Sequence, residues 1–225
     1  MIATAPVLHR LGQQDAMDAQ RLQARIALAT PPGHLRDRTR DEFADIFSGK
    51  RGAAFGMRDD AGELIAMGLL VTMDGRPDGP SFPRIPAEDW AQHCAFMEST
   101  MVLPHARGRG YQRLLLHMRM AEAKARGVRW FCAGVHRSNA PSLRNLIATG
   151  FAVVGMRGDC VFGLLRRADG APLAMDAEDL KCAPLAAAEP HQRALRGNYI
   201  GVRTHGDALV YARSSTPIDS EAVFD

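Results

Sequence analysis

The sequence predicts an α/β (α+β) fold in which a mixed central β-sheet carries helices on both faces. Apolar runs of strand length alternate with amphipathic helical segments between residues 5 and 167. Strand–helix–strand crossovers between residues 94 and 156 favour locally parallel pairing, whereas the segment 53–73 has the pattern of an antiparallel hairpin. The 225 residues, 46% of them hydrophobic, are enough to bury the core of such a domain.

The first half of the chain alternates short strands with helices. Residues 5–12 form the first predicted strand, and Asp15 is placed to cap the helix that follows. A second helix is predicted from Thr39 to Phe47. Two apolar strands then flank a tight turn, at 53–59 and 64–73, and they predict a buried hairpin.

A proline-rich segment separates this hairpin from the next strand. Residues 74–90 contain four prolines and two glycines, which predicts a loop, and long loops in compact domains are often functional. The apolar strand 94–103 follows, and then a helix from Tyr111 that Gly127 ends. Helical spacing predicts that the buried side of this helix is formed by Tyr111, Leu114, Leu115, Met118, Ala121 and Ala125.

The remaining predicted elements complete the sheet and add an extension. A strand at 129–136 precedes a helix over 138–150, which Ser138 or Asn139 starts, and a hairpin spans 151–167. From residue 170 onward, prolines and alanines predict little regular structure before a hairpin at 198–213 and a frayed end. The predicted domains are residues 1–168 and a C-terminal extension of residues 169–225 that packs on the same domain.

Composition argues against several classes of protein. The net charge of +3 says little about partners, and the longest apolar stretch, at 64–73, is half the length of a membrane span. The N-terminus lacks the pattern of a signal peptide, and the four cysteines form no CxxC or Cys/His ligand spacing. We therefore expect a cytoplasmic protein with no metal site and no membrane attachment.

A glycine–arginine loop is the first feature that indicates chemistry. Arg107-Gly108-Arg109-Gly110 lies between a strand and a helix, where unpaired amides and the positive helix end favour an anion. Seven basic residues and one acid lie between Arg107 and Arg129. The GxxxxGK[ST] pattern is absent, and Arg113 replaces the third glycine of GxGxxG. A phosphate site and a structural turn with a basic rim therefore both remain open.

Two motifs together resemble the GNAT superfamily of N-acetyltransferases. The family's acetyl-CoA motif, Q/R-x-x-G-x-G/A after a central strand, overlays Arg107 to Gln112. Family members then carry an Asn, a helix and a Gly-Phe pair, which correspond here to Asn139 and Gly150-Phe151. The resemblance covers roughly residues 5–167, and the pair of motifs is much more specific than either motif alone.

The resemblance implies a GNAT-like sheet with a splayed central strand pair, and acetyl-CoA as co-substrate without a metal. The strand that ends near Leu103 would splay from the strand 129–136, and pantetheine would add along its exposed backbone. The pyrophosphate would lie on the amides of the glycine–arginine loop, and the Asn139 side chain would bind the pantetheine or thioester end. The implied binding residues are Met101, Val102, Leu103, Arg107, Gly108, Arg109, Gly110, Tyr111, Gln112, Arg113, Asn139 and Ser142.

The chain departs from the family pattern at two positions. Gln112 stands where the motif has a final Gly or Ala, and we interpret it as tolerated because the backbone N–H makes the contact. Leu146 stands where many members have a tyrosine proposed to protonate the departing CoA thiolate. Ser142, Tyr199 or water remain as proton donors, and a thiol of pKa about 8.5 also leaves tolerably as the thiolate.

Glu98 is the best candidate for the general base that deprotonates the acceptor amine. It lies in the strand 94–103, and strand alternation predicts that it shares a face with Thr100 and Val102. It would act directly or through water, and the alternative is a partnered buried glutamate with a structural role. A backbone N–H at Met101 or Val102 would stabilise the oxyanion.

These residues predict an acetyl-CoA-dependent N-acetyltransferase that acetylates a primary amine of a small molecule or amino acid by direct attack. The alternative is a non-catalytic acyl-CoA-binding or regulatory module, because the tyrosine is missing and no acceptor signature is evident. Nucleic-acid binding is not expected, since no reader motif accompanies the basic helix. The acceptor and the oligomeric state stay open, a homodimer included.

Overall fold

The protein has the mixed α/β architecture that the sequence predicts, in a computed structural model that describes residues 6–72, 85 and 87–216. The described residues divide into two units. One contains residues 6–72 and Ala95–Gly127, and the other contains residues 85, 87–94 and 128–216. No helix in these ranges is long and apolar enough to span a membrane.

Ten strands and six helices are found in the described residues. In chain order they are β1 (Val7–Arg10), α1 (Ala16–Ala27), α2 (Arg40–Phe47), β2 (Gly52–Arg58), β3 (Leu64–Thr72), α3 (Ala87–His93), β4 (Cys94–Val102), α4 (Tyr111–Ala125), β5 (Trp130–His136), α5 (Ala140–Ala148), β6 (Ala152–Arg157), β7 (Val161–Arg167), β8 (Met175–Pro184), α6 (Glu189–Arg196), β9 (Tyr199–His205) and β10 (Ala208–Ser214). The predicted strands and helices up to residue 167 are all present.

Four antiparallel strands form the sheet of the first unit, in the order β1-β2-β3-β4, which confirms the predicted β2–β3 hairpin. Helices cover both faces. Ile46 of α2 lies over Gly52 on one face, and Arg119 of α4 lies over Gly68 on the other. The faces are opposite because Gly52 pairs with Val71, an odd number of residues from Gly68.

The buried side of α4 differs from the predicted one. Leu114 is 41% exposed, and Ala121 and Ala125 are also exposed. The residues buried on this helix are Leu115, Leu116, Arg119, Met120 and Ala123. They keep the helical spacing but are shifted by one position. The prediction was correct for Leu115 and wrong for Leu114, Ala121 and Ala125, because it followed apolar residues only and left out the charged Arg119.

Side-chain caps fix two of the helix starts. Thr39 caps α2, since its hydroxyl accepts from the Glu42 N–H at 3.2 Å and the Glu42 carboxylate accepts from the Thr39 N–H at 2.8 Å. The predicted cap of α1 by Asp15 is wrong. That carboxylate accepts instead from the Gly12 N–H at 2.8 Å and from Arg58 at 2.6 Å.

The sheet of the second unit has the strand order β5-β7-β6-β9-β10-β8. The predicted hairpin of residues 151–167 is confirmed as the antiparallel β6–β7 pair. β5 and β6 run parallel to each other, but β7 lies between them and pairs with both. The predicted parallel pairing across α5 is therefore wrong, because the hairpin folds β7 back into the gap. The predicted splay of the strands 94–103 and 129–136 stays a prediction.

The C-terminal region is more regular than predicted. The hairpin at 198–213 is confirmed as β9–β10, and Gly201 of β9 pairs with Val153 of β6. The segment expected to lack structure contains β8 and α6. The sequence pattern missed β8 because most of its residues are exposed and its hydrogen bonds come from β10 rather than from a local apolar repeat. The domain boundary at residue 168 stays a prediction.

The helix α3 lies in the segment that was predicted to be a loop. Its Asp89 carboxylate, 11% exposed, accepts from Arg129 and from the Trp130 indole N–H, both at 2.9 Å. The His93 carbonyl accepts from the Arg129 N–H at 2.8 Å. These bonds fix the C-terminal end of the segment to β5, while residues 73–84 and 86 lie outside the described residues.

A buried histidine joins α6 to the sheet of the second unit. His191 is 0% exposed, its Nε2 donates to the Pro184 carbonyl at 3.0 Å, and its Nδ1 accepts from the Tyr211 hydroxyl at 2.9 Å. The Phe162 ring packs edge-on against it. Burial lowers the pKa of His191 to about 4, so the folded protein holds it neutral.

We predict that acid destabilises the protein through His191. Above pH about 6.5 the residue is neutral in both states, but between pH about 6.5 and about 4 only the unfolded chain takes up the proton, which removes up to about 3 kcal/mol. Urea unfolding at a series of pH values measures this loss. His191→Gln, which cannot titrate, should show a shallower decline in the same window, and an identical decline would contradict the prediction.

Candidate active site

The glycine–arginine loop connects β4 to α4 in the first unit. A 3-10 turn, Pro104–Ala106, leaves the strand, and Gly108 and Gly110 then adopt φ of +78° and +80°. Glycine enters these left-handed conformations without strain. A Cβ at either glycine would meet no described atom within 4 Å. The loop therefore presents bare backbone to open space.

Backbone amides and positive charge converge at this loop. An early intrahelical bond of α4 runs from the Leu114 N–H to the Gly110 carbonyl, at 3.1 Å. The N–H groups that precede it belong to the positive end of the helix. Arg107, Arg109 and Arg113 are exposed around this end. The arrangement can bind an anion such as a phosphate.

The end of β4 directs one backbone amide away from β3. The Leu103 N–H donates to the Ile65 carbonyl at 3.0 Å, and the Leu103 carbonyl accepts from the Ala106 N–H at 2.9 Å. Contrary to expectation, Leu103 thus has no N–H to offer to pantetheine. Because strand N–H groups point alternately to the two sides, the Val102 N–H points away from β3. The Val102 carbonyl accepts from Arg107 Nε at 3.2 Å.

A β-bulge interrupts β4 shortly before this point. In the β3–β4 register, Leu69 opposes Glu98 and Met67 opposes Met101, so two residues of β4 face one residue of β3. Ser99, in the bulge, has φ of +42°, which is uncommon for a residue with a side chain. The bulge shifts the alternation of all later side chains in the strand.

The bulge places Glu98 and Thr100 on opposite faces of the sheet. The Thr100 hydroxyl accepts from Arg119 of α4 at 2.7 Å, whereas the Glu98 carboxylate accepts from Arg38 in the α1–α2 connection. The expectation that Glu98 shares a face with Thr100 and Val102 is therefore wrong. Regular alternation does not hold where the strand contains an extra residue.

Arg119 fills the gap that the bulge opens between the strands. Its Nη1 donates to the carbonyls of Leu69 and Glu98, the pair that flanks the bulge, at 3.1 and 2.9 Å. Its Nη2 donates to Thr100, and its Nε donates to the Leu115 carbonyl one turn earlier in α4. One planar guanidinium thereby ties two strands to the helix.

The positive charge of Arg119 is buried. The residue is 1% exposed, and no carboxylate in the described part of the chain pairs with it. Burial lowers the pKa of Arg119 to about 9, so the group stays charged at neutral pH. Gly68 provides the space, since a Cβ there would lie 2.8 Å from Arg119 Cζ. At neutral pH a buried cation therefore lies behind the bulge.

Two arginines of the α1–α2 connection meet Glu98 on the other face. Arg38, with a side chain 6% exposed, bonds to Oε2 of Glu98. The nearest guanidinium nitrogen of Arg36, a side chain 53% exposed, is 3.8 Å from Oε1. Glu98 is thus a partnered glutamate whose side chain stays 23% exposed, and its Oε1 is in ion-pair range of Arg36 without a hydrogen bond to it.

A buried glutamine fixes this connection to α1. Gln23 is 4% exposed, and its Nε2 donates to the Asp37 carboxylate at 2.5 Å and to the Arg38 carbonyl at 2.9 Å. Its Oε1 accepts from the Arg38 N–H at 3.1 Å. Gln23 therefore fixes the backbone around Arg38, and this positions the Arg38 side chain for its bond to Glu98.

The second unit contains the downstream motif. Asn139 begins α5, and its Oδ1 accepts from the Ser142 N–H at 3.3 Å, which confirms the predicted start signal. Ser142 is half-buried. Leu146 is 6% exposed, so the position where many family members have a tyrosine is a packed apolar one.

Tyr199 is committed to a structural cluster. Its hydroxyl donates to Asp179 at 2.7 Å, and the residue is 2% exposed. Arg213 bonds to the same carboxylate, and Lys181 Nζ lies 4.0 Å from the Tyr199 ring centroid. Tyr199 is therefore a poor candidate for the proton donor. In the described ranges, no group of three His, Cys, Asp or Glu side chains could hold a metal ion.

Sequence reasoning missed the arginines that surround β4. Arg119 could have been identified from the sequence, because it is a basic residue at a helical position whose spacing predicts burial. Gly68 is the matching feature, since it is a glycine in an otherwise apolar strand. The positions of Arg36 and Arg38 depend on the tertiary contact through Gln23, for which the local sequence has no pattern.

Comparison with known proteins agrees with this geometry. The sequence profile of the acetyltransferase (GNAT) family matches residues 20–151, more than half of the chain. A sequence search of the curated proteins gives no match.

Solved structures show the same fold at low identity. The protein yncA of Salmonella typhimurium, assigned as an acetyltransferase and solved with its cofactor acetyl-CoA, is 18% identical with a TM-score of 0.59, over 77% of this chain and 99% of that one. A phosphinothricin acetyltransferase from Sinorhizobium meliloti in complex with AcCoA is 17% identical with a TM-score of 0.58, over 73% and 89%. The ribosomal-protein-S18-alanine N-acetyltransferase of Escherichia coli is 18% identical with a TM-score of 0.54, over 73% and 94%.

We predict that Arg119→Met destabilises the protein by about 2–4 kcal/mol, because it leaves the carbonyls of Leu69 and Glu98 without their donor. Urea unfolding measures the loss. Lys124→Met, an exposed position on the same helix, is the matched control and should change stability by less than about 0.5 kcal/mol. Equal stability of Arg119→Met and the wild type would show that the guanidinium is not needed to hold the bulge.

Proposed function

Because the chain belongs to the GNAT family of acetyltransferases, we propose that it is an acetyl-CoA-dependent N-acetyltransferase that acetylates a primary amine of a small molecule or amino acid. The observation that carries the proposal is the bare, arginine-rimmed loop at the N-terminus of α4, directly after the bulged strand. Residence in the cytoplasm and the oligomeric state stay predictions from the sequence.

The loop fits the pyrophosphate of acetyl-CoA. Gly108 and Gly110 leave open space over the backbone, and the positive end of α4 and three exposed arginines favour a dianionic group. We infer that the backbone from Arg107 to Gln112 holds the pyrophosphate, with Arg113 adding charge. Gln112 is compatible with this role because the contact uses its backbone N–H. Acetyl-CoA supplies the thioester carbonyl that the amine attacks.

Val102 is the backbone group that we assign to the reacting carbonyl. Its N–H points away from β3, whereas the N–H of Met101, like that of Leu103, points towards β3. Arg107 bonds to the Val102 carbonyl and so fixes the orientation of this part of the strand. A preorganised N–H donor of this kind stabilises developing negative charge without reorganisation.

Glu98 remains our candidate base, acting through Oε1, the oxygen that Arg38 does not bond. Arg38 occupies Oε2, while Oε1 is 3.8 Å from Arg36 and can accept from water or from the ammonium group of the acceptor. We infer that Glu98 orients the amine and takes its proton through that oxygen. The ion pair with Arg38 keeps the carboxylate in one place while it does so.

Proton return to the CoA sulfur requires a different group from the family's tyrosine. Leu146 is buried and apolar, and Tyr199 is bonded to Asp179. Ser142 in the first turn of α5 is the proposed donor, with water as the alternative. The requirement is mild, since a thiol of pKa about 8.5 leaves partly as the thiolate near neutral pH.

Acetyl-CoA should raise the thermal unfolding midpoint of the protein. At a concentration of 100 times its Kd the added stability is about 2.7 kcal/mol. Replacing both Arg109 and Arg113 by Gln should weaken the shift, because the pyrophosphate loses two nearby cations. Arg21→Gln, with a side chain 73% exposed on α1, is the control and should keep the full shift. If no acyl-CoA shifts the midpoint, the acetyl-CoA assignment is wrong.

Glu98→Gln should lower kcat by about 10²- to 10⁴-fold, as expected for loss of a general base. The acetyl-CoA-dependent thermal shift should persist, since Glu98 lies outside the loop. Thiol release from acetyl-CoA across a panel of primary amines measures turnover. Glu63→Gln, which removes a carboxylate paired with Arg25 in the first unit, should leave turnover unchanged.

The same panel distinguishes the alternative reading. A wild type that binds acetyl-CoA but releases no thiol with any amine would favour a non-catalytic acyl-CoA-binding module. Turnover that is equal in Glu98→Gln and the wild type would leave the enzyme intact and remove Glu98 from the catalytic step.

A further inference from the structure

The two arginines that face Glu98 differ in how they contact it. Arg38 is the structural partner, being buried and bonded to Oε2. Arg36 is different. Its side chain is 53% exposed, and among the described residues the carboxylate oxygen within ion-pair distance of it is Oε1 of Glu98, at 3.8 Å, which is beyond hydrogen-bond distance. One carboxylate therefore faces two guanidinium groups, and only one of them makes a bond to it.

The other acids nearby are already engaged. The Asp37 carboxylate accepts from the buried Gln23 amide at 2.5 Å. The Glu42 carboxylate accepts from the Thr39 N–H in the cap of α2 and lies 3.9 Å from Arg38 Nη1. The Thr39 N–H and, more weakly, the charges of Arg38 and Arg36 lower the pKa of Glu42, but among the described residues no hydrogen bond or ion pair joins either acid to Arg36. The fork of N–H donors on Arg36 is therefore not taken up by these acids.

A second, independent observation points to a missing acceptor at this cluster. Within the described residues, Arg38 Nε is the one buried side-chain nitrogen or oxygen without a hydrogen-bond partner. Buried polar groups are normally satisfied, and an unsatisfied donor calls for an acceptor, such as a water or an ion, that the described residues do not supply. The arginine pair thus has unmet capacity for an oxyanion.

The cluster lies within reach of the proposed reacting position. Glu98 and Met101 share a face of the sheet, because they oppose Leu69 and Met67, which are two residues apart on β3. Two residues of strand span about 7 Å. The main chain at Met101, which adjoins the Val102 amide, therefore lies about as far from Glu98 as a small amino acid is long.

We propose that the acceptor is a primary amine that also carries an anionic group, a carboxylate or a phosphonate, and that Arg36 binds this group. Glu98 faces the ammonium end and Arg36 the anionic end, with Arg38 holding Glu98 between them. A guanidinium fork matches the two oxygens of a carboxylate or phosphonate. This proposal rests on the proposed acetyltransferase function and specifies its acceptor.

The experiment compares acceptors that differ only in the anionic group. An α-amino acid panel, the corresponding amino acid amides and aminoalkylphosphonates are assayed by thiol release with the wild type, Arg36→Gln, Arg36→Lys and Arg40→Gln. Arg40 is exposed and four residues further along the chain, so Arg40→Gln is the matched control for loss of one positive charge. Calorimetric titration of the same compounds into CoA-saturated protein gives binding without turnover.

The wild type should prefer at least one anionic acceptor over its uncharged counterpart by about 10-fold or more in kcat/KM. Arg36→Gln should raise KM for that acceptor about 10- to 100-fold and remove the preference, with little change in KM for the amide. Arg36→Lys should lie between them, and Arg40→Gln should match the wild type. Preference for carboxylates or for phosphonates then identifies which anion the site takes.

Several outcomes would overturn the proposal. They are a wild type that prefers the amides, an Arg36→Gln variant that affects acid and amide equally, and an Arg40→Gln variant that loses the preference to the same extent. Loss of thiol release with every amine is a failure of the proposed function instead. In that case the calorimetric titration still tests the Arg36 site. The site is contradicted if the anionic ligands bind the wild type and Arg36→Gln with equal Kd, or if they bind neither protein.

Discussion

A buried guanidinium holds the irregular strand on which the candidate site is built. The carbonyls of Leu69 and Glu98 flank the bulge in β4, and a buried carbonyl left without a donor would be costly. Arg119 bonds to both of them and to Thr100, so the strand keeps its bulge, its left-handed Ser99 and the side-chain directions that follow. The outward Val102 amide depends on that shift, because Val102 follows the bulge. Without the bulge, regular pairing would turn the residues after it, Val102 among them, relative to Glu98.

The two faces of β4 make different kinds of contact. On the α4 face, Arg119 has no exposed surface and no described carboxylate partner, so it acts by holding main chain. On the other face, the α1–α2 connection is fixed by Gln23 and brings arginines to a carboxylate that remains partly exposed. Main-chain stabilisation and the proposed acceptor site are thereby separated by the thickness of one strand.

Much of the fold follows from local sequence pattern, and the errors arise where a distant residue decides. The strands up to residue 167, the helices α1, α2, α4 and α5, the β2–β3 and β6–β7 hairpins and the cap Asn139 all have local signals, and so they were predicted. The bulge at Ser99 has none, since its cause is Arg119, twenty residues away in the chain. β8 was missed because β10 supplies its hydrogen bonds, and the α4 stripe was misplaced because a charged residue occupies a core position. At the candidate site, the loop and Glu98 could be identified from the sequence. The positions of Arg36 and Arg38 could not, because they depend on a tertiary bond to Gln23.

The burial of Arg119 has a consequence for the ionic environment of the strand. Arg107, Arg109 and Arg113 face water, and dissolved ions weaken their fields beyond about 8 Å at physiological salt. Counterions have no access to Arg119, which is 1% exposed. The positive potential along this edge of β4 therefore has two components, one that falls as ionic strength rises and one that persists. Electrostatic attraction that brings an anion to the loop depends on salt, while the polarisation of the strand amides next to the bulge does not.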